Sequence, residues 1–212
     1  MTLRDDPRFD EDYFERGVAK GVSLYERYRW IPERSLREAH WFLMHLGACA
    51  TDRVLDFGCA KGFFVYALRL LGYRAWGFDV SAYAREHAEP AVAEYITGDV
   101  YDHTRCELGF CKDVLEHSRS VTELDNTLTV IRSMARTWLF VIPLARDGHY
   151  VHPEYEKDVT HVQRMDAPEW LRKIWEAGFV VINWSNQLKG IKENWTSRGL
   201  PGDLFVIARR VG

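Results

Sequence analysis

Val54-Leu55-Asp56-Phe57-Gly58-Cys59-Ala60-Lys61-Gly62 is the stretch on which the fold of this chain turns. The apolar residues around Asp56 predict a buried strand, the two glycines a tight turn, and the apolar stretch 63–71, stopped by Gly72, the helix that follows. Gly58 and Gly62 suit such a turn because glycine has no Cβ and tolerates positive φ, which lets backbone approach a ligand closely at a helix start. A second apolar run, 75–78, ends at Asp79 and completes a right-handed strand-helix-strand unit. Two kinds of nucleotide site are disfavoured by the same residues. A dinucleotide fingerprint needs G-x-G-x-x-G, whereas Gly58 is followed by Ala60 and Phe63 at those places. No Gly-Lys-Ser or Gly-Lys-Thr follows the turn to make a phosphate loop.

Outward from this unit, strands and helices alternate. Toward the C terminus the pattern predicts a short helix at 82–88, strands near 93–96 and at 108–114, a helix at 121–134 and a buried strand at 138–142 broken by Pro143. A helix at 167–176, stopped by Gly178, and two last strands at 179–184 and 204–208 follow. The polar segment 144–165 between them carries His149, His152 and His161. Toward the N terminus, Leu36, Ala39, His40, Leu43 and Leu46 recur at three- and four-residue steps and predict an amphipathic helix over 33–46, ended by Gly47. Residues 1–35 mix Tyr13, Phe14, Tyr25, Tyr28 and Trp30 with charges, and are expected to be an ordered arm or lid on a domain formed by 36–212. The sum is an α/β fold, a mostly parallel sheet with helices on both faces, whose ligand lies outside the carboxyl ends of the first strands. With 212 residues and 47% hydrophobic content, the chain can bury one substantial core.

Asp56-Phe57-Gly58-Cys59-Ala60-Lys61-Gly62 resembles the first motif of the class I S-adenosylmethionine-dependent methyltransferases, which has a further glycine where Ala60 stands. The resemblance implies a Rossmann-like, seven-stranded sheet with its last strand antiparallel, and S-adenosylmethionine as cofactor, leaving as S-adenosylhomocysteine. On it, Asp56, Phe57, Gly58, Cys59, Ala60 and Gly62 hold the methionine part, and Asp79 accepts the ribose hydroxyl hydrogens. Asp99, in Thr97-Gly98-Asp99-Val100, accepts from the adenine amino group, while Val80 and Val100 sandwich the ring. Lys112 and Asp113 close the cofactor set at the end of the fourth strand. The segment Lys112-Asp113-Val114-Leu115-Glu116-His117 resembles the Asp-Val-Leu-Glu-His stretch of a subgroup that includes quinone-biosynthesis and many sugar or cell-envelope methyltransferases. The resemblance covers about residues 52–178.

Methyl transfer from a sulfonium is an in-line displacement whose thioether leaves without a proton, so the enzyme mainly positions the acceptor. A hydroxyl acceptor must also lose a proton. His117, just past the fourth strand, is the first candidate for that role, the other reading being a helix-start residue that shapes the pocket. His161, in Asp158-Val159-Thr160-His161, is the second; that tetrapeptide also resembles an acceptor-pocket segment of the same subgroup. His149 and His152 with Asp158 and His161 can be read as metal ligands, but H-x-x-H spacing in a loop is thin ground, and no metal site is expected. The polar, aromatic, histidine-bearing loops favour O-methylation of a small-molecule or glycan acceptor such as a sugar or nucleotide sugar. A quinone, phenol or amine acceptor, and a cofactor-binding regulatory or partner protein without turnover, stay open. Nucleic acid is disfavoured by the formal charge of −3, by the lack of Asn-Pro-Pro-aromatic after the fourth strand, and by the absence of any Pro-Cys. The apolar run 138–145 is too short to span a membrane, the opening residues lack a signal-peptide stretch, and the four cysteines have no C-x-x-C spacing. A cytoplasmic location with reduced thiols is the expectation.

Overall fold

The structure, a computed structural model, describes residues 5–100, 105–193, 196–197 and 199–211. Glu11–Glu15 (α1) and Gly17–Lys20 (α2) precede Pro32–Leu46 (α3), Arg53–Phe57 (β1), Phe63–Leu70 (α4), Arg74–Phe78 (β2), Ala82–Glu86 (α5), Ile96–Thr97 (β3) and Cys106–Lys112 (β4). Val121–Met134 (α6), Ala135–Pro143 (β5), Ala145–Arg146 (β6), His149–Tyr150 (β7), Ala167–Glu176 (α7), Phe179–Ser185 (β8), Thr196–Ser197 (β9), Leu200–Pro201 (β10) and Asp203–Arg210 (β11) follow.

Seven of these strands form one sheet in the order β3-β2-β1-β4-β5-β11-β8. The pairs from β3 through β5 are parallel, and β11 runs antiparallel to both β5 and β8, so the last strand is reversed as the resemblance implies. Side chains on successive strand residues point to opposite faces. Leu55, Phe57, Trp138, Phe140 and Ile142 therefore pack with Leu124, Leu128 and Ile131 of α6 and Trp170 and Ile174 of α7. Val54, Leu139 and Val141 pack on the other face with Ala39 and Phe42 of α3 and Val65 and Leu68 of α4. Strands buried on both sides explain the continuous apolar runs of the sequence, and each large side chain so buried contributes about 1.5–3 kcal/mol.

The expected strand near 93–96 is mostly a 3-10 turn, Ala93–Tyr95, leading into the two-residue β3. As the sheet's edge, β3 pairs only Ile96 and Thr97 with Gly77 and Phe78. The polar segment 144–165 is more ordered than its composition implies: β6 and β7 form a hairpin, and a 3-10 turn at Pro153–Lys157 leads into Asp158, Thr160 and His161. Because β1 lies between β2 and β4, the sheet order reverses there, and the crevice at the strand ends is bordered by Gly58, Asp79 and Asp113. Among the described residues no helix is long and apolar enough to cross a membrane.

Candidate active site

The turn after β1 is held in left-handed backbone at three places: Gly58 (φ +83°), Ala60 (φ +49°) and Gly62 (φ +76°). A Cβ on Gly58 would run into the Val114 side chain, and one on Gly62 into Ile96, so both positions demand glycine for space as well as for φ. Ala60 accepts the left-handed conformation at a cost of roughly 1–2 kcal/mol. Its N–H thereby donates to Asp79 Oδ2 at 2.7 Å, while the Ser81 N–H donates to Oδ1 at 2.7 Å. Two backbone donors fix the Asp79 carboxylate against the turn, and each oxygen keeps a lone pair for a ligand. Burial raises the Asp79 pKa, against the pull of those donors and of Arg85. At Asp56, burial pushes the carboxyl up to about 8, with Lys112 opposing and Glu38 and Asp79 adding to the rise. Lys112 Nζ lies 2.5 Å from Glu38 Oε1. Cys59 is buried with its sulfur against Gly77, and burial pushes its thiol well above the ordinary range.

Two cavities border this turn, and a third shares Tyr25 and Asp113 with both. The first, about 240 Å³, lies among Phe57, Gly58, Ala60, Asp79, Val80 and His117, and is roofed by Phe9, Tyr13 and Phe14. The second, about 520 Å³, is lined by Asp56, Cys59, Phe63 and Lys112, and the third, about 430 Å³, by His117, Tyr155, Asp158, His161 and Lys192. The N-terminal residues are anchored to the sheet end. The Asp6 N–H donates to the Val80 carbonyl at 3.0 Å and Tyr13 Oη to Asp158 Oδ2 at 2.9 Å. Lys61 Nζ pairs with Glu15 and donates to the Tyr28 carbonyl at 3.2 Å. Asp99 and Val100 do not line these cavities: Asp99 is exposed beyond β3, and Val100 sits in the core against which Val80 packs. Residues 101–104, which follow them, lie outside the described residues.

His117 and His161 come together, with ring centroids 4.7 Å apart. Asp158 Oδ1 accepts from Thr160 Oγ1 at 2.6 Å, so the threonine oxygen in turn accepts from His117 Nδ1 at 2.7 Å. That chain assigns the His117 proton to Nδ1 and leaves the lone pair on Nε2. His161 Nδ1 donates to the Tyr155 carbonyl at 2.9 Å, which fixes the same tautomer. Burial lowers both pKa values, that of His117 to about 4, with His161 adding to the fall. His149 and His152 stay apart from this pair: His149 is exposed beside Glu156, and His152 accepts from the Glu154 N–H at 3.4 Å as a helix cap.

Several supporting groups escaped the sequence reading. Lys192 Nζ pairs with Asp113 and with Asp203, the latter at 3.1 Å, and Tyr155 Oη donates to Asp203 Oδ1 at 2.5 Å. Burial works against an ionised Asp113, yet Lys192 and Lys112 outweigh it and hold its pKa below the usual carboxylate range. Glu116 is fully buried, and neither carboxyl oxygen has a hydrogen-bond partner. The one available signal was a charged residue inside or beside an apolar run, which Lys61 and Glu116 both gave.

The sequence matches the family model for the methyltransferase domain over residues 25–183. No curated protein matches the sequence. Among solved structures, it is similar to the 1,6-didemethyltoxoflavin-N1-methyltransferase of Burkholderia thailandensis with bound 1,6-didemethyltoxoflavin and S-adenosylhomocysteine, at 15% identity over 84% of this chain and 79% of that one, with a TM-score of 0.61. The magnesium protoporphyrin IX methyltransferase of Synechocystis with bound S-adenosylmethionine is 16% identical over 85% and 80% of the two chains, with a TM-score of 0.58. An S-adenosylmethionine-dependent methyltransferase of Clostridium acetobutylicum is 10% identical over 88% and 94%, with a TM-score of 0.62. Identities this low speak for the fold, while the domain match, the glycine turn and the reversed last strand agree: the chain belongs to the methyltransferase-domain family and is a class I S-adenosylmethionine-dependent methyltransferase.

Proposed function

We propose that this enzyme methylates a hydroxyl oxygen of a small polar acceptor, a sugar, nucleotide sugar or glycan unit, in the third cavity. The observation that carries the proposal is the composition of that cavity, where His117 and His161 stand with Tyr13, Arg34, Asp158 and Lys192. Such a lining supplies donors and acceptors for a hydroxylated ligand beside the rings of Tyr13, Tyr25 and Tyr155, against which a sugar's apolar face can rest.

The donor set around the turn suits a nucleoside with a charged amino-acid tail. Asp79 takes the ribose hydroxyl hydrogens with its remaining lone pairs, Val80 lines the adenine end, and Phe57, Gly58, Cys59, Ala60 and Gly62 shape the floor; for Asp99 and Val100, which stand outside the cavities, to reach the ring, the segment after β3 must move. Asp56 in the second cavity faces the ammonium of the tail, Lys112 lines the same cavity, and Asp113 lines both the second and the third. Bound S-adenosylmethionine supplies an electrophilic methyl group, so that one carbon–sulfur bond is exchanged for one carbon–oxygen bond and the hydroxyl gives up one proton. His117, neutral with its lone pair on Nε2, accepts the hydroxyl hydrogen and orients the oxygen, and His161 backs it. With a pKa near 4 it is a weak final proton acceptor, so its main contribution is orientation. The arm 1–35, described from residue 5 onward, acts as a lid on the domain 36–212, a reading supported by Phe9, Tyr13 and Phe14 lining the first cavity.

Panels of nucleotide sugars, phenols and amines offered with methyl-labelled S-adenosylmethionine test the acceptor class. Label is expected on sugar hydroxyls. Transfer confined to amines, phenols or carbon acids would remove the proposal.

A further inference from the structure

We propose that Glu116, His117 and His161 form a divalent-cation site at the border of the first and third cavities. Glu116 and His117 share the 3-10 turn Leu115–His117 after β4, and His161 comes to them from the segment that follows the Pro153–Lys157 turn. Glu116 is fully buried and both of its carboxyl oxygens lack a hydrogen-bond partner, which is rare for a buried acid unless a partner or ion joins it. Oε1 points toward His161 Nε2, 3.8 Å away. One ligand atom from each of the three side chains lies within 4.8 Å of the others.

The protons around the rings favour a cation over a further hydrogen bond. Thr160 and the Tyr155 carbonyl occupy the two Nδ1–H groups, so each ring offers Nε2 as a neutral ligand. Oxygen partners on the outer nitrogen are the usual support of metal-binding histidines. Asp158 and Asp113 are otherwise engaged: Asp158 accepts from Tyr13 and Thr160, and Asp113 pairs with Lys192. Two imidazoles and one carboxylate make a mixed nitrogen–oxygen set, which suits zinc, cobalt, manganese or iron(II) better than magnesium or calcium. Ligand bonds of about 2.0–2.2 Å set the ligand atoms roughly 3.3 Å apart, so the three side chains must close by up to about 1.5 Å. His117 and His161 both line the third cavity, so a cation that they hold would be reachable from it.

The cation's role in catalysis rests on the hydroxyl-acceptor proposal above, whereas the site does not. His117 and His161 would give their Nε2 lone pairs to a bound cation, and the cation would then supply the hold on the acceptor oxygen that His117 otherwise provides and make its hydroxyl more acidic. The proton leaves to solvent as the carbon–oxygen bond forms and the methyl–sulfur bond breaks.

Chelator-treated protein is titrated with Co²⁺ and Zn²⁺ by calorimetry, and the Co²⁺ complex is followed by its visible d–d absorption. One ion per chain is expected, with an absorption stronger than that of the aqueous ion. Glu116→Gln and His161→Gln should each weaken binding at least tenfold, and a His149→Ala/His152→Ala double variant should bind as the parent does. The Co²⁺ spectrum of the unaltered protein decides the matter if a variant does not fold. No uptake, or uptake that disappears only in the His149/His152 variant, overturns the site. Cofactor binding and methyl transfer are measured in parallel. A bound ion without transfer to any hydroxyl removes the acceptor proposal and leaves the site, while transfer to a hydroxyl that persists in chelator with no ion bound removes the cation's catalytic role and leaves the acceptor proposal.

Discussion

Ala60 carries a Cβ at φ +49°, where its family resemblance sets a glycine, and its N–H is committed to Asp79. Ala60→Gly should relieve the left-handed strain without moving that hydrogen bond. The gain is bounded by about 1 kcal/mol, because glycine also has more unfolded-state freedom to lose. Urea unfolding of the two proteins measures it, and a less stable glycine variant would show that the Ala60 methyl contributes more by packing than it costs in backbone strain. Asp56 gives a pH-dependent counterpart. Its free-protein pKa of about 8 arises chiefly from burial, so at pH 7 the carboxyl is mostly protonated, and pairing with a cofactor ammonium must draw it down. S-adenosylmethionine binding should then release most of a proton at pH 7, and affinity should rise between pH 6 and 8. Calorimetry in two buffers of different ionisation enthalpy reads the proton directly; no proton release would separate Asp56 from the ammonium. Asp56, Gly58 and Asp79 were legible in sequence because their spacing along one strand-turn-helix-strand unit fixes where they meet. Glu116 meeting His161, or Asp158 orienting His117 through Thr160, depends on residues far apart in the chain, and no local pattern records it.

At the scale of elements, the same limit separates the core from the arm. Periodicity placed α3, α4, α6, α7 and β5 closely because each is buried along a regular stripe or on both faces. It overstated β3, an edge strand with little to pair, and passed over the 3-10 turn that positions His161, whose residues follow no helical or strand period. The aromatic arm was legible in composition, but its docking was not. Tyr13 and Phe14 are buried against Ala84, while the Glu15–Lys61 pair ties α1 to the cofactor turn itself. Since both charged groups are largely shielded, Glu15→Gln should weaken the docked arm by about 1 kcal/mol, through loss of one charge-assisted bond. Amide hydrogen exchange across 11–28 should speed up about fivefold for that cost, with the central strands unchanged. If the arm is the lid, cofactor dissociation accelerates with it. Exchange that stays at the parent rate would mean that aromatic packing alone holds the arm.

Across the whole molecule, the sheet brings together the ends of β4 and β11 with a lysine from the loop before β9, an arrangement set by strand order and invisible to local spacing. Lys192 is the hub, lying between Asp113 at the active-site crevice and the buried Asp203 that starts β11. Burial alone would lower the lysine pKa, but Asp113 and Asp203 more than offset it and raise it, while Lys192 helps hold Asp113 low. The sign of the pH dependence follows. Asp113, with its depressed folded pKa, contributes stability above its unfolded value that is lost as pH falls through the folded one; Lys192 contributes below its unfolded value and loses this as pH rises through its raised folded one. Lys192→Met leaves two carboxylates near each other without their cation, and should cost about 3 kcal/mol at pH 7.5. The deficit should shrink toward pH 4.5, where the stranded carboxyls take up protons, and adding Asp203→Asn should recover part of it at neutral pH by removing one of the two charges. Urea unfolding of the three proteins at both pH values distinguishes this from simple loss of packing, for which the deficit would be the same at both and Asp203→Asn would add to it.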